Sequence, residues 1–162
     1  MQIDELENNI AQDLAVDLLD EFDRNFERKG FFTDKWPQAK LINNKGSLMM
    51  RSGNLRRSIE YDVKKNTISF TSSLPYAAIH NEGGEITVTE KMKRYFWAMY
   101  KQAKGVQASQ WKALALMKVG HKIKVTKRQM VGNHPQVAGI VKDVIDRNMA
   151  EFNNELAKQF KK

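Results

Sequence analysis

Arg51-Ser-Gly-Asn-Leu-Arg-Arg-Ser-Ile59 and, one predicted hairpin later, Pro75-Tyr-Ala-Ala-Ile-His-Asn-Glu-Gly-Gly84 are the stretches on which the fold turns. In the first, Ser52 is placed to cap a short helix from Gly53 to Ser58, with Leu55 and Ile59 facing inward. In the second, Pro75 suits the first turn of a short helix through Tyr76, Ala77, Ala78 and Ile79, and Gly83-Gly84 ends it. Between the two, Tyr61/Val63 and Ile68/Phe70 alternate on either side of Lys64-Lys65-Asn66, which is a hairpin signal. Gly53, Gly83 and Gly84 stand where caps and positive φ are needed. Each alone is ordinary turn chemistry; their order and spacing around a hairpin make the pattern specific.

Upstream, Ile3, Leu6, Ile10, Leu14, Leu18, Phe22 and Phe26 recur at three-to-four spacing among acidic residues, predicting a long amphipathic helix. Asp4 with Glu7 makes its capping pair and Gly30 its stop. At 1.5 Å per residue it is ~39 Å long, enough for part of it to reach a neighbour. Residues 31–50, with Trp36-Pro37, Asn43-Asn44 and Gly46, lack periodicity and read as a loop of the kind that serves binding or assembly.

Downstream, Ile86 and Val88 predict a third strand. Thr89 opens a helix with Met92, Tyr95, Phe96 and Met99 that stops near Gly105, and a second runs from Ser109 to Met117, so that residues 89–120 form an inserted helical hairpin. Ile123 and Val125 follow as a fourth strand. Pro135 then starts a long helix in which Val137, Ile140, Val141, Val144, Ile145, Met149, Phe152, Leu156 and Phe160 line one face. The predicted class is α+β, a single domain over residues 1–162: a small antiparallel sheet covered on one face by long amphipathic N- and C-terminal helices.

At 162 residues the chain buries enough surface to fold without staples, and it contains no cysteine, hence no disulfide and no thiolate site. No apolar run approaches the ~20 residues that cross a bilayer, and the acidic start does not resemble a signal peptide. The expectation is a soluble, unprocessed protein with no membrane partner. The net charge of +8 is unevenly laid out: residues 1–30 hold nine acidic and three basic side chains, residues 91–130 eleven basic and no acidic ones. Such polarity fits head-to-tail association of copies or attraction to a polyanion.

The histidines, His80, His121 and His134, are far apart and fit no metal motif. His80, near a helix end and followed by Gly83, reads as a group bonding terminal carbonyls. There is no phosphate loop, dinucleotide fingerprint or nucleophile elbow, and Asp4/Glu5 and Asp143/Asp146 read as solvated charge. The reading is of a non-enzyme without cofactor. Its alternative is a small basic protein that binds nucleic acid without reading sequence: Lys91, Lys93, Arg94, Lys101, Lys104, Lys112, Lys118, Lys122, Lys124, Lys127 and Arg128 surround Tyr95, Phe96, Trp97, Tyr100 and Trp111. Tyr95, Phe96 and Met99 fall on one helical stripe, which makes most of these aromatics packing groups.

The two quoted segments resemble the bacteriophage virion morphogenesis proteins, the tail-completion proteins of Mu-like contractile-tailed phages. These carry a Ser/Thr-Gly-x-Leu-x-x-Ser-Ile element, two strands, and then Tyr-Ala-x-x-His-Asn/Gln-x-Gly. The likeness extends to Asp34-Lys-Trp36, to Gly46-Ser-Leu-Met-Met50, and to Val125-Thr-Lys-Arg-Gln-Met-Val-Gly132, where Arg128 and Gly132 fit while Thr126 and Met130 replace the usual proline and phenylalanine. By resemblance, Gly53, Leu55, Ser58, Tyr76, His80, Gly83, Arg128 and Gly132 are structural motif positions.

The resemblance implies a structural component that completes the tail or neck and enables head–tail joining, as a ring of several copies, in the virion and, during assembly, in the host cytoplasm. Implied partners are the protein itself, tail tube or terminator proteins and neck proteins. Trp36, Lys91, Lys93, Arg94, Lys101, Lys104, Lys122, Lys124 and Lys127 are the candidate interaction or DNA-facing residues. The acidic first helix meeting the basic insertion across a heterologous interface would close such a ring, and a basic lining would touch DNA through its backbone alone.

Overall fold

A computed structural model describes residues 2–43, 45–65 and 67–160. Asn44 and Asn66, which the sequence reading places in a loop and in a hairpin turn, lie outside the described residues. The architecture is α+β, as read, with two long helices and small antiparallel sheets.

Helix α1, Ile3–Arg28, runs one residue ahead of the predicted span at either end. Its first turn is closed by the Gln2 backbone N–H donating to Glu5 at 3.3 Å, not by Asp4 and Glu7, because the helix begins one position earlier. It stops at Lys29 in the left-handed region (φ 55°), so Gly30 is the first residue of a strand instead of the cap. Strands β1, Gly30–Phe31, and β2, Asp34–Lys35, turn the chain back, and the Trp36 N–H donates to the Lys29 carbonyl at 2.8 Å. The predicted loop therefore opens with a tight hairpin. A Cβ on Gly30 would sit 2.6 Å from the Asp34 carbonyl oxygen, which explains glycine there.

The short helix α2, Asn54–Arg57, leads into β3, Ile59–Lys64, which pairs with β4, Thr67–Ser72, in the predicted hairpin. Helix α3, Ala77–Glu82, follows, then β5, Gly84–Thr87. The inserted arm consists of α4, Glu90–Gln102, and α5, Gly105–Leu116. Thr89 caps α4 through its hydroxyl, which accepts from the Met92 N–H at 3.2 Å. Gly105, read as a stop, in fact opens α5 with φ 57°, one turn earlier than predicted. Strand β6, Lys122–Val125, pairs with β5, and helix α6, Pro135–Gln159, closes the chain.

The predicted strands do not join into one sheet. They form two separate two-stranded sheets, β3–β4 and β5–β6, and the unpredicted β1–β2 hairpin makes a third. The β5–β6 ribbon is the stalk of the arm: Glu85 and Lys124 face each other across it, and Lys122 bridges to Glu85 at 3.1 Å. Buried Val88 sits at the top, its N–H on the His121 carbonyl and its carbonyl taking the Gly120 N–H.

Two adjoining clusters make the core. Leu18 and Phe22 of α1 pack with Phe31 and Phe32, against Phe70 of β4 and Val137 and Ile140 of α6. Phe26 packs with Trp36, Leu55, Ala77 and Met130. The long helices lie against each other, with Ala11 and Ala15 of α1 and Val144 of α6 buried, and with Arg147 and Asn148 reaching Asp17 at 3.1 Å and Asp13 at 2.9 Å. The predicted single apolar face of α6 is too wide an arc for this contact. Val144 turns inward, whereas Ile145, Met149 and Phe160 remain exposed.

Candidate interaction site

Gly53, Leu55, Tyr76, His80 and Arg128, drawn from three separate stretches, line one hollow of about 260 Å³ together with Ala39, Leu48, Met49, Arg51 and Ser52. Each wall has a local cause. Gly53 takes φ 74° before α2, and a Cβ there would lie 2.7 Å from Nη1 of Arg57. That close approach lets Arg57 donate to the Ser52 carbonyl at 3.0 Å and to Asn54 Oδ1 at 2.9 Å. Ser52 Oγ accepts from the Asn54 N–H at 3.4 Å, the contact expected of it, although α2 begins one residue later and Gly53 holds the cap position with its own backbone carbonyl. Ser58 donates to the Leu55 carbonyl at 2.8 Å and shares a 2.7 Å hydroxyl contact with Ser72, tying α2 to β4 outside the hollow.

On the facing wall, Tyr76 precedes α3 and its ring meets His80 edge-on at 6.1 Å. The helix ends at Gly83 with φ 77°, where a Cβ would stand 3.0 Å from the Lys127 backbone nitrogen. His80 was read as bonding terminal carbonyls through its ring. Instead its own carbonyl accepts from the Arg128 N–H at 2.8 Å, and Nδ1 is buried without a partner among the described residues. Arg128 closes the floor, donating from Nε to the Pro37 carbonyl at 2.8 Å and from Nη2 to the Gln38 carbonyl at 3.0 Å. Gly132, with φ 133°, lies away from the hollow beside Gln129.

Burial, and after it the charge of Arg128, push the His80 imidazole below its ordinary pKa. The folded chain thus keeps His80 neutral where the unfolded chain takes up a proton. Stability is unaffected by this group above the unfolded value of ~6.5 and is lost as pH falls below it. Thermal unfolding followed from pH 7.5 to 5.5 is expected to show a loss of stability that shrinks in His80→Gln; an identical pH profile in both proteins would remove His80 as its source.

Two residues that hold the site together were missed in the sequence. Asn25, fully buried in α1, accepts from the Phe32 N–H at 2.8 Å and donates to the Met130 carbonyl at 3.0 Å. Asn81 of α3 accepts through Oδ1 from the backbone N–H groups of Met130 and Val131, at 2.7 and 3.1 Å. The signal for Asn25 was an amide flanked by Phe22 and Phe26 on the apolar stripe; for Asn81 it was its place inside the second quoted segment.

Trp36, read as a surface contact, is only 5% exposed. Its ring packs edge-on against Phe26 at 5.5 Å and its Nε1–H donates to the Gln129 carbonyl at 2.7 Å. It pins the loop to the body and is not available to a partner.

The arm is a second, separate surface. Lys91, Arg94, Lys101, Lys104, Lys122, Lys124 and Lys127 are exposed and Lys93 is half-buried. Met92, Tyr95, Phe96 and Met99 form the opposite stripe of α4, and Phe96 is buried beside Trp111 of α5, with ring centroids 6.0 Å apart. Of these cations only Lys122 has an ion-pair partner among the described residues, whereas the acidic helix is largely answered from within. Arg147 pairs with Asp13 and Asp17, Arg24 and Arg28 with Glu21, and Arg56 with Asp23 and Glu27. The charge separation seen along the sequence is therefore neutralised on one side and left open on the other.

A model of the phage virion morphogenesis family matches residues 4–150, which covers both surfaces, the arm, nearly all of α1 and the greater part of α6. The chain belongs to the phage virion morphogenesis family. No curated protein and no solved structure matches it. This morphogenesis protein thus has a role in building phage particles. Among the described residues no group of three or more His, Asp or Glu is placed to hold a metal ion, and no helix is long and apolar enough to cross a membrane.

Proposed function

We propose that this morphogenesis protein is a structural joint that completes the tail or neck and lets the DNA-filled head engage it, working as a ring of copies and not as a catalyst. In this reading it resides in the tail or neck of the virion, having assembled in the host cytoplasm with tail tube or terminator and neck proteins. The observation that carries it is the arm: a projecting pair of helices on a ribbon whose cations, Lys122 apart, have no ion-pair partner among the described residues. Its partner is therefore external. Because most carboxylates of α1 are paired internally, the simple meeting of acidic helix and basic arm has fewer free charges than the sequence suggested; Asp4, Glu5, Glu7 and Asp20 are the α1 carboxylates without an ion-pair partner among the described residues.

Lys91, Arg94 and Lys101 lie at spacings of three and seven on the outward stripe of α4. Reversing all three to Glu is expected to leave folding intact and to lower the yield of joined particles in a complementation assay about tenfold or more, since three lost pairs at ~0.5–1 kcal/mol each sum to that order. Solution mass at low and high salt tests the ring: a rise in mass that high salt and the triple reversal both abolish is expected. A monomer under every condition, with normal particle yield from the triple variant, would sink the reading.

A second reading, contact with DNA, is favoured by one feature: apart from Arg94 the unpaired arm cations are lysines, which protein interfaces tend to exclude and which suit a polyanion's backbone. The same triple variant decides it. Loss of salt-sensitive binding to random duplex DNA supports DNA contact, and absence of such binding in the unaltered protein removes it.

A further inference from the structure

The hollow beneath α2 and α3 is electrostatically incomplete. Arg128 is only 8% exposed, yet among the described residues no carboxylate pairs with it, and burial pushes its pKa down. A desolvated guanidinium ordinarily stands beside a counter-charge, because its hydration is lost and carbonyl oxygens replace only part of it. Nη1 makes no hydrogen bond among the described residues. Buried Nδ1 of His80, on the same wall, also lacks a partner. Arg51 adds a further positive charge to the lining, which contains no Asp or Glu. A guanidinium without a counter-charge, and with a donor left over, thus lines a concave place that holds no carboxylate.

We propose that this hollow is a binding site for a carboxylate side chain presented by a protein neighbour, received by Arg128 beside His80 and against the apolar wall of Leu48, Met49 and Leu55. The planar guanidinium matches a carboxylate, and its Nη1 is the donor left over for one. A volume of about 260 Å³ admits one side chain on its stem. The backbone phosphates of a rigid duplex do not reach a cation this recessed. The site goes beyond the assembly reading and rests on it only for the claim that a protein brings the carboxylate.

The test is a titration of the full-length protein, with labelled histidine, by sodium acetate against sodium chloride at matched ionic strength. Acetate is expected to move the His80 ring resonances saturably, and Arg128→Gln to abolish the movement. Since Arg128 also holds residues 37 and 38, a second variant leaves it in place: Ala39→Glu brings a carboxylate to the rim from an exposed position and is expected to raise the melting temperature and to suppress the acetate response. A response to acetate no different from chloride, or one that survives in both variants, overturns the site. Inorganic phosphate binding more tightly than acetate overturns the assignment to carboxylate. A synthetic peptide of residues 2–12, which carries Asp4, Glu5 and Glu7, separates the sources. Displacement of acetate by the peptide supports the site with a second copy as donor; acetate binding without peptide binding supports the site and assigns the carboxylate to a different protein, which counts against the ring alone.

Discussion

Phe22→Ala is expected to destabilise the fold by about 4 kcal/mol, the range for removing a buried aromatic ring, and to lower the melting temperature by about 10 °C for a chain of this size. Phe22 is where three otherwise separate parts meet. Its ring stacks on Phe31 at 6.2 Å, stands edge-on to Phe32 at 6.3 Å, and meets Phe70 of the β3–β4 hairpin edge-on at 4.9 Å. Those contacts hold the small hairpin and the first helix against β4, and the rest of the cluster brings in α6. Phe22→Leu is expected to restore most of the loss, because volume and apolarity matter more at this place than ring geometry. Thermal or urea unfolding measures both, and a loss under 1 kcal/mol for Phe22→Ala would mean that the core collapses around the gap.

The second large effect is expected from Asn25→Ala, about 3 kcal/mol, although it removes few atoms. The amide serves two buried backbone groups, the Phe32 N–H and the Met130 carbonyl, and stranding each costs ~1–3 kcal/mol. Asn25→Leu, which fills the space with carbon, is expected to be no better, and this separates a hydrogen-bonding cause from a packing one. The damage reaches function through position. Met130 is two residues from Arg128, whose guanidinium holds residues 37 and 38 at the floor of the hollow. A variant with unchanged stability would show that water replaces the amide.

The two long helices and the hairpin were legible because their signals are periodic: apolar positions repeat every three or four residues, or every second one, and these elements form where the repeats lie, although Ile3, Ile145 and Met149 of the two helices stay exposed. Cap positions were less legible. Backbone geometry at Lys29 and Gly105 depends on where the next element must go, and Lys29 accepts φ 55° because β1 turns back at once. Beyond the β3–β4 hairpin, the joining of strands was not legible. Ile86 and Ile123 read as members of a sheet, but which strand pairs with which is a long-range matter, and the arm carries its own ribbon. Trp36 was misplaced for a related reason: a tryptophan in an aperiodic stretch gives no local sign that a carbonyl at Gln129 awaits its N–H. The convergence of Gly53, Tyr76, His80 and Arg128 was invisible as geometry, though their sequence motifs pointed to the right side chains.

The arm's two helices pack chiefly on each other and join the body through a ribbon only two strands wide. Evolution can therefore rewrite the outward surface of α4 and α5 without disturbing the folding of the rest, since few core contacts are at stake. Grafting the segment from Gly84 to Val125 onto a related chain should carry recognition with it, and host or particle compatibility among such chains would then track a detachable module of 42 residues.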